Sequence, residues 1–155
     1  MTELVDQMKV VQATAFSLYL KAHNYHWNVT GSNFAEYHSF FGDFYDAVWT
    51  SVDGYAERTR TLDAYVPGSL SRFSELTKIE DETGIITAEA MFRNLYNDNE
   101  TLINELNTAH ELAVADKRYG LVNFLEDRLD FHAKMHWQIR AFIVKLAPSA
   151  EMSAE

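Results

Sequence analysis

The sequence contains no cysteine and little proline or glycine. Its 155 residues include two prolines and six glycines. The absence of cysteine excludes disulfides, thiolate metal sites and thiol redox chemistry. The scarcity of helix-breaking residues, in a chain that is 47% hydrophobic, favours an all-helical globular protein. The length suits a single domain spanning residues 1–155.

Positive charge is also scarce. The sequence contains 13 Lys and Arg residues and 23 Asp and Glu residues, which gives a formal net charge of −10. Such a surface repels nucleic acids and anionic membranes and attracts cations. Lys9 is the only basic residue among the first ten, and the last nine contain none, so no basic arm is available for binding DNA. We find neither a secretory signal nor an apolar stretch long enough to cross a bilayer, and therefore expect a cytoplasmic protein without DNA or membrane partners.

Four long segments carry apolar residues at helical spacing, which predicts four long helices. A shorter apolar stretch predicts a small helix in the connection between the second and third of them. Thr87 is a candidate N-cap for the third helix, and Pro148 is expected to end the fourth. The predicted architecture is an all-α four-helix bundle with a small extra helix in the long connection between the second and third helices. The predicted helices cover approximately residues 2–27, 34–64, 69–77, 87–115 and 121–146.

The second predicted helix is apolar on more than one side, which indicates burial on several sides. In a small bundle this pattern is typical of a helix that also contacts another copy of the chain. We therefore expect an oligomer. The aromatic residues that carry the argument are Phe40, Phe41, Phe44, Tyr45 and Trp49.

Two histidines and two carboxylates form a candidate metal site. His26 and His38 flank the polar turn 28–33, whereas Asp53 and Glu57 share one helix face by their i, i+4 spacing. His38 and Asp53 should lie roughly 22 Å apart along one helix, at about 1.5 Å per residue. Because a metal site spans only a few ångströms, a second copy of the chain must supply half of it. Such mixed imidazole and carboxylate ligands suit ferrous iron, and also zinc or manganese.

Other interpretations of these residues remain open. Carboxylates at i, i+4 usually mark a solvated helix face, and histidines near helix ends usually pack or cap. His132 and His136 form a second pair with ligand spacing, for which packing or an interface is the favoured interpretation. The sequence contains no Glu-x-x-His motif, which argues against a di-iron site inside a single bundle.

The string from His23 to Phe34, followed by His38, resembles the Dps proteins, or miniferritins. Segments 53–58 and 132–140 resemble them as well, and the resemblance covers nearly the whole chain. It implies a hollow homododecameric shell that oxidises ferrous iron with hydrogen peroxide or dioxygen, stores ferric mineral inside and protects against oxidative damage. It also implies that His26 and His38 of one subunit, with Asp53 and Glu57 of its partner, are the iron ligands and catalytic groups of a ferroxidase centre.

One position departs from the family pattern, which has an aspartate where this chain has Gly42. Asp43 points about 100° around the helix, and Asp46 lies a turn further along, so neither is a simple replacement. Glycine inside a helix costs about 1 kcal/mol relative to alanine, so either some group uses the space or the site has drifted. We expect one tight iron site, formed by His26 with Asp53 and Glu57 of the partner, and a second, weaker one.

Several alternatives and details stay open. A shell that buffers a metal such as zinc, with weak or no ferroxidase activity, is the first alternative. A DNA-protecting protein and a structural bundle without metal are the others. Trp27, beside His26, is either a radical-quenching residue or a packed core aromatic. The candidates for lining a pore in the shell are Asp116, Glu126, Asp127 and Asp130.

Overall fold

A computed structural model describes residues 1–143, which contain five α-helices and no strand. These helices confirm the predicted four-helix bundle with a small extra helix in the long connection. None of them is long and apolar enough to cross a membrane. The expected end of the last helix, at residues 144–146 before Pro148, lies outside the described residues. The helices are α1 Thr2–Asn28, α2 Phe34–Arg60, α3 Leu70–Leu76, α4 Ala88–Ala115 and α5 Tyr119–Ile143.

Each long helix turns one apolar stripe toward a common core. Helix α1 packs against α2 and α4, and α4 packs against α5. Burying one large apolar side chain stabilises the fold by roughly 1.5–3 kcal/mol, so this core supplies most of the driving force for the bundle. Fully buried members include Leu4, Met8, Leu18, Phe41, Leu95, Leu102, Leu106 and Leu125.

The helix ends follow local backbone chemistry. The Thr87 side chain accepts a hydrogen bond from the Ala90 N–H at 3.2 Å, which confirms the predicted N-cap. Helix α2 ends at Arg60, four residues before the predicted end at Ala64. Asp63 adopts φ +60°, a left-handed conformation that cannot continue a right-handed helix. No glycine or proline marks this break, so helical periodicity alone could not locate it.

The long connection is fastened to the outer side of α1. Phe73 of α3 stacks on Phe16 with ring centroids 4.7 Å apart. Further along, Glu82 accepts a hydrogen bond from the Tyr25 hydroxyl at 3.0 Å, and Asn94 of α4 donates to the same hydroxyl. Burial raises the pKa of Tyr25 above its ordinary value, so this phenol stays protonated and remains a donor. These contacts fix the last turns of α1, where the candidate metal ligands begin.

Candidate metal centre

The turn between α1 and α2 brings the two candidate histidines together. Gly31 adopts φ +126°, a conformation that favours glycine, and the chain reverses direction around it. As a result, the His26 ring stacks on the His38 ring with centroids 3.7 Å apart and planes 20° apart. The two imidazoles face the same small region at the end of the α1–α2 pair.

Reciprocal hydrogen bonds fix the orientation of both rings. His26 Nδ1 donates to the carbonyl of His38 at 2.7 Å, and His38 Nδ1 donates to the carbonyl of His26 at 2.7 Å. A carbonyl oxygen only accepts, so each Nδ1 carries a proton, and in the neutral form of the ring Nε2 is the nitrogen with the free lone pair. This pattern of Nδ1–H bonded to a carbonyl is the one that orients histidine for metal binding through Nε2.

The His26 ring occupies the space beside Gly42. A Cβ atom added at this glycine would lie 3.1 Å from both Cε1 and Nδ1 of the ring. A larger residue would therefore push the imidazole by a few tenths of an ångström. The absence of a side chain at Gly42 therefore lets the His26 imidazole pack closely against α2.

The carboxylate pair lies further along α2, the helix that also carries His38. Asp53 and Glu57 are exposed, one turn apart on α2, and Asp53 lines an open groove with Trp49 and Gln12. Helix α2 runs without interruption from Phe34 to Arg60, so the separation of roughly 22 Å between the two pairs stands. Within residues 1–143 of one protomer, no three His, Asp or Glu side chains are close enough to hold a metal ion.

The competing histidine pair is packed rather than arranged for binding. His132 is fully buried, its Nδ1 donates to Asn99 Oδ1 at 2.7 Å, and the Asn99 amide returns a bond to the His132 carbonyl at 2.9 Å. Burial, with a smaller effect of Arg128, lowers the pKa of His132 to about 3. His136 stacks on Tyr96 with centroids 3.9 Å apart. Both therefore serve packing, the interpretation favoured from the sequence.

His23, which no metal-ligand spacing singles out in the sequence, joins an aromatic cluster beside the paired histidines. Its ring lies parallel to Tyr45 at 3.8 Å and packs against Trp27 at 3.8 Å. Its Nδ1 is 3.2 Å from the Tyr19 hydroxyl. Burial, and then the nearby His26, lower the pKa of His23. The i, i+4 spacing of residues 19, 23 and 27 places them on one face of α1, and this spacing could have predicted that their rings pack together.

Trp27 is 59% exposed in the protomer, so its interpretation as a packed core aromatic is wrong. The acidic residues considered for a pore differ in their surroundings. Asp116 pairs with the N-terminal amino group at 2.9 Å, and Glu126 contacts His110 Nε2 at 2.9 Å. Asp127 and Asp130 are exposed on α5, where their role in a pore remains a prediction.

Comparisons with known proteins agree with this architecture. A family model described as a ferritin-like domain matches residues 5–148. Antigen TpF1 from Treponema pallidum superposes with a TM-score of 0.90 at 27% identity, over 93% of each chain. The Dps protein from Vibrio cholerae O1, described as a member of a broad superfamily of ferritin-like diiron-carboxylate proteins, gives 0.89 at 24% identity, over 92% of this chain and 90% of that chain. The bundle is thus of the ferritin-like class.

One relative places the chain within that class. It is 32% identical to the DNA protection during starvation protein of Brevibacillus brevis, over 81% of this chain and 85% of that protein. The chain belongs to the Dps family.

Proposed function

We propose that this protein is a miniferritin that binds ferrous iron at centres shared between two subunits, oxidises it and stores the ferric product. Hydrogen peroxide or dioxygen is the oxidant, and the store is a hollow homododecameric shell in the cytoplasm that protects the cell from oxidative damage. The observation that carries the proposal is the stacked His26 and His38 pair with both Nε2 atoms free, roughly 22 Å along α2 from the carboxylate pair.

The distance between the two pairs supports a centre built across a two-fold axis. In a symmetric dimer each surface patch meets its equivalent on the partner, so an antiparallel pairing of two α2 helices sets the histidines of one chain against the carboxylates of the other. Each dimer then holds two equivalent centres. The exposure of Asp53 and Glu57 in the protomer supports this arrangement, because it leaves both carboxylates free to be covered by a second copy.

Each ligand has a defined task in this proposal. His26 Nε2, with Asp53 and Glu57 of the partner subunit, provides three ligands for a tight site and leaves positions open for the oxidant. His38 Nε2 and the second oxygen of Glu57 of the partner subunit provide a weaker second site. Carboxylate oxygens stabilise the more highly charged ferric product, whereas imidazole nitrogens retain ferrous iron before oxidation.

The overall reaction with peroxide consumes two electrons: H₂O₂ + 2 Fe(II) + 2 H⁺ gives 2 Fe(III) + 2 H₂O. If only one electron is supplied, peroxide yields hydroxide and a hydroxyl radical. Protection therefore depends on delivering the two electrons together. The net charge of −10 favours delivery of cations to the shell and retention of the ferric product.

A second function, metal buffering with slow ferroxidase activity, is favoured by one observation. The His26 ring fills the space beside Gly42, so no carboxylate at that position completes the second site. Zinc or manganese could then occupy the tight site without a redox reaction. Tight zinc binding together with slow iron oxidation at saturating peroxide would favour this function. DNA protection is disfavoured by the acidic surface.

Subunit complementation tests the shared centre directly. One variant, His26→Ala with His38→Ala, lacks the histidine half, and another, Asp53→Asn with Glu57→Gln, lacks the carboxylate half. Each alone should lose tight iron binding and rapid oxidation. Random co-assembly should restore about one quarter of the centres, because half of the dimers are mixed and each mixed dimer has one intact centre of two.

The control is each variant co-assembled with itself at the same total concentration, with mixed dimers verified by native mass spectrometry. Mixed dimers that show no recovered iron binding would overturn the shared centre. Activity in either variant alone would do the same. Native mass spectrometry also tests the dodecamer, since a particle of another size would contradict that part of the proposal.

A further inference from the structure

A row of aromatic rings leads away from the histidine pair along the α1–α2 surface. The Tyr45 ring lies 5.1 Å from the His26 ring, edge to face. Tyr19 follows at 6.1 Å from Tyr45, and Trp49 at 4.7 Å from Tyr19, all measured between ring centroids. In a chain without cysteine, tyrosine and tryptophan are the side chains most easily oxidised by one electron, and electron transfer between rings at such short separations is fast.

The far end of this row lies beside the carboxylate pair. Trp49 lies one turn before Asp53 on α2, and the two residues line the same open groove. The row therefore begins at the histidine half and ends at the carboxylate half of a single protomer. Under the shared-centre arrangement these halves belong to two different centres of one dimer. The row thus spans the distance between the two centres inside one folded chain.

We propose that Tyr45, Tyr19 and Trp49 form an electron relay that connects the two iron centres of a dimer. This inference rests on the proposed function. Its physical reason under that function is the weak second site, which leaves each centre with one tightly held iron, whereas peroxide takes two electrons. The relay allows two irons in separate centres to share the reduction of one peroxide molecule.

The two steps balance. In the first, H₂O₂ + Fe(II) + Tyr–OH + H⁺ gives Fe(III) + Tyr–O• + 2 H₂O, with Tyr45 as the nearest phenol. In the second, Fe(II) at the other centre returns an electron through Trp49 and Tyr19, so that Tyr–O• + Fe(II) + H⁺ gives Tyr–OH + Fe(III). Their sum is the overall reaction given above.

Tyr19→Phe is the test variant, because it keeps the ring and removes only the oxidisable phenol from the middle of the row. Tyr65→Phe is the matched control, since Tyr65 is 85% exposed and lies outside the row. Each protein is loaded anaerobically with one Fe(II) per subunit and mixed with peroxide. We expect wild type and control to oxidise two irons per peroxide with a short-lived radical signal in freeze-quenched electron paramagnetic resonance spectra.

In Tyr19→Phe, Tyr45 can still be oxidised but is cut off from the second centre. The ratio of iron oxidised to peroxide in the fast phase should fall toward one, and the tyrosyl signal should persist several-fold longer. If Tyr19→Phe matches Tyr65→Phe in both quantities, the relay is refuted while ferroxidase activity stands. If wild type neither binds nor oxidises iron, the proposed function itself fails.

An iron-free measurement tests the row without ferroxidase chemistry. Azide radicals generated by pulse radiolysis oxidise tryptophan, and intramolecular transfer to tyrosine is followed as tryptophanyl absorbance decays and tyrosyl absorbance rises. The fastest component should be lost in both Trp49→Phe and Tyr19→Phe and kept in Tyr65→Phe. Equal transfer kinetics in all four proteins would overturn the relay even if iron oxidation is normal.

Discussion

Replacing Gly42 with alanine tests whether the packing of His26 can be separated from its proposed role as an iron ligand. Alanine removes a mid-helix glycine, which should raise the free energy of unfolding by about 1 kcal/mol. Against this, the new Cβ would lie 3.1 Å from the His26 ring, inside the optimal carbon contact of about 3.5–4.0 Å. The ring must therefore shift by a few tenths of an ångström.

That shift strains the bond from His26 Nδ1 to the His38 carbonyl, now 2.7 Å long. A typical hydrogen bond contributes roughly 0.5–1.5 kcal/mol, so its weakening offsets most of the gain from the helix. We expect the free energy of unfolding to stay within about 1 kcal/mol of wild type. Iron affinity should fall by about tenfold or more, because disturbing the group that orients a metal-binding histidine typically costs 10–100-fold.

The assay is an anaerobic calorimetric titration with Fe(II), paired with urea unfolding of the metal-free protein. Gly120→Ala is the control, since it also lies in a helix and a Cβ there meets nothing within 4 Å. The control should be as stable as wild type or up to about 1 kcal/mol more stable, with unchanged iron affinity. The reasoning is refuted if the free energy of unfolding of Gly42→Ala rises by the full amount of about 1 kcal/mol expected for replacing a helix glycine and the variant also binds iron as tightly as wild type.

Three further outcomes follow from the structure. Gly42→Asp adds a carboxylate at the position where the family resemblance implies one, but it also displaces His26. Iron titration should therefore show tighter binding at the second iron site and weaker binding at the first. Unchanged affinities at both sites would contradict this. Because the pKa of His132 is about 3 in the folded protein and ordinary when unfolded, stability should fall as pH drops from 6.5 toward 3, by up to about 1.4 kcal/mol per unit. In His132→Gln, the free energy of unfolding, measured with urea at fixed protein concentration, should depend less steeply on pH. Thr87→Ala should cost about 1 kcal/mol in the same unfolding assay, without changing iron affinity, by removing the N-cap of α4.

The helices were predictable because their signals are local and repeated. Apart from the end of α5, which lies outside the described residues, apolar spacing located the ends of all five helices within a few residues, and the capping hydroxyl of Thr87 marked a helix start that the structure confirms. The end of α2 was placed wrongly because a left-handed Asp63, with no glycine nearby, produces no periodic signal. The packed role of His132 was favoured correctly, but its bonding partner Asn99 lies 33 residues away and could come only from the folded chain.

The candidate site was predictable in a different way. Helix length alone separated the histidines from the carboxylates, and the unbroken α2 agrees with that separation. The sequence could not show that the His26 ring packs beside Gly42, because this contact joins residues of two different helices. The same holds for the aromatic row, whose members alternate between α1 and α2 and meet only through tertiary packing.

Gly42 and the aromatic row can be understood together. The His26 ring packs closely beside Gly42, so any side chain at residue 42 requires the ring to shift by a few tenths of an ångström. Under the proposed function, the weak second site leaves one well-held iron at each centre and a two-electron oxidant to reduce. In that arrangement a single protomer would contribute to both centres of its dimer, with its own aromatic residues, Tyr45, Tyr19 and Trp49, lying between the two contributions. Under the proposed relay the neighbouring centre supplies the second electron, so a weak second iron site is compatible with protection against hydroxyl radical.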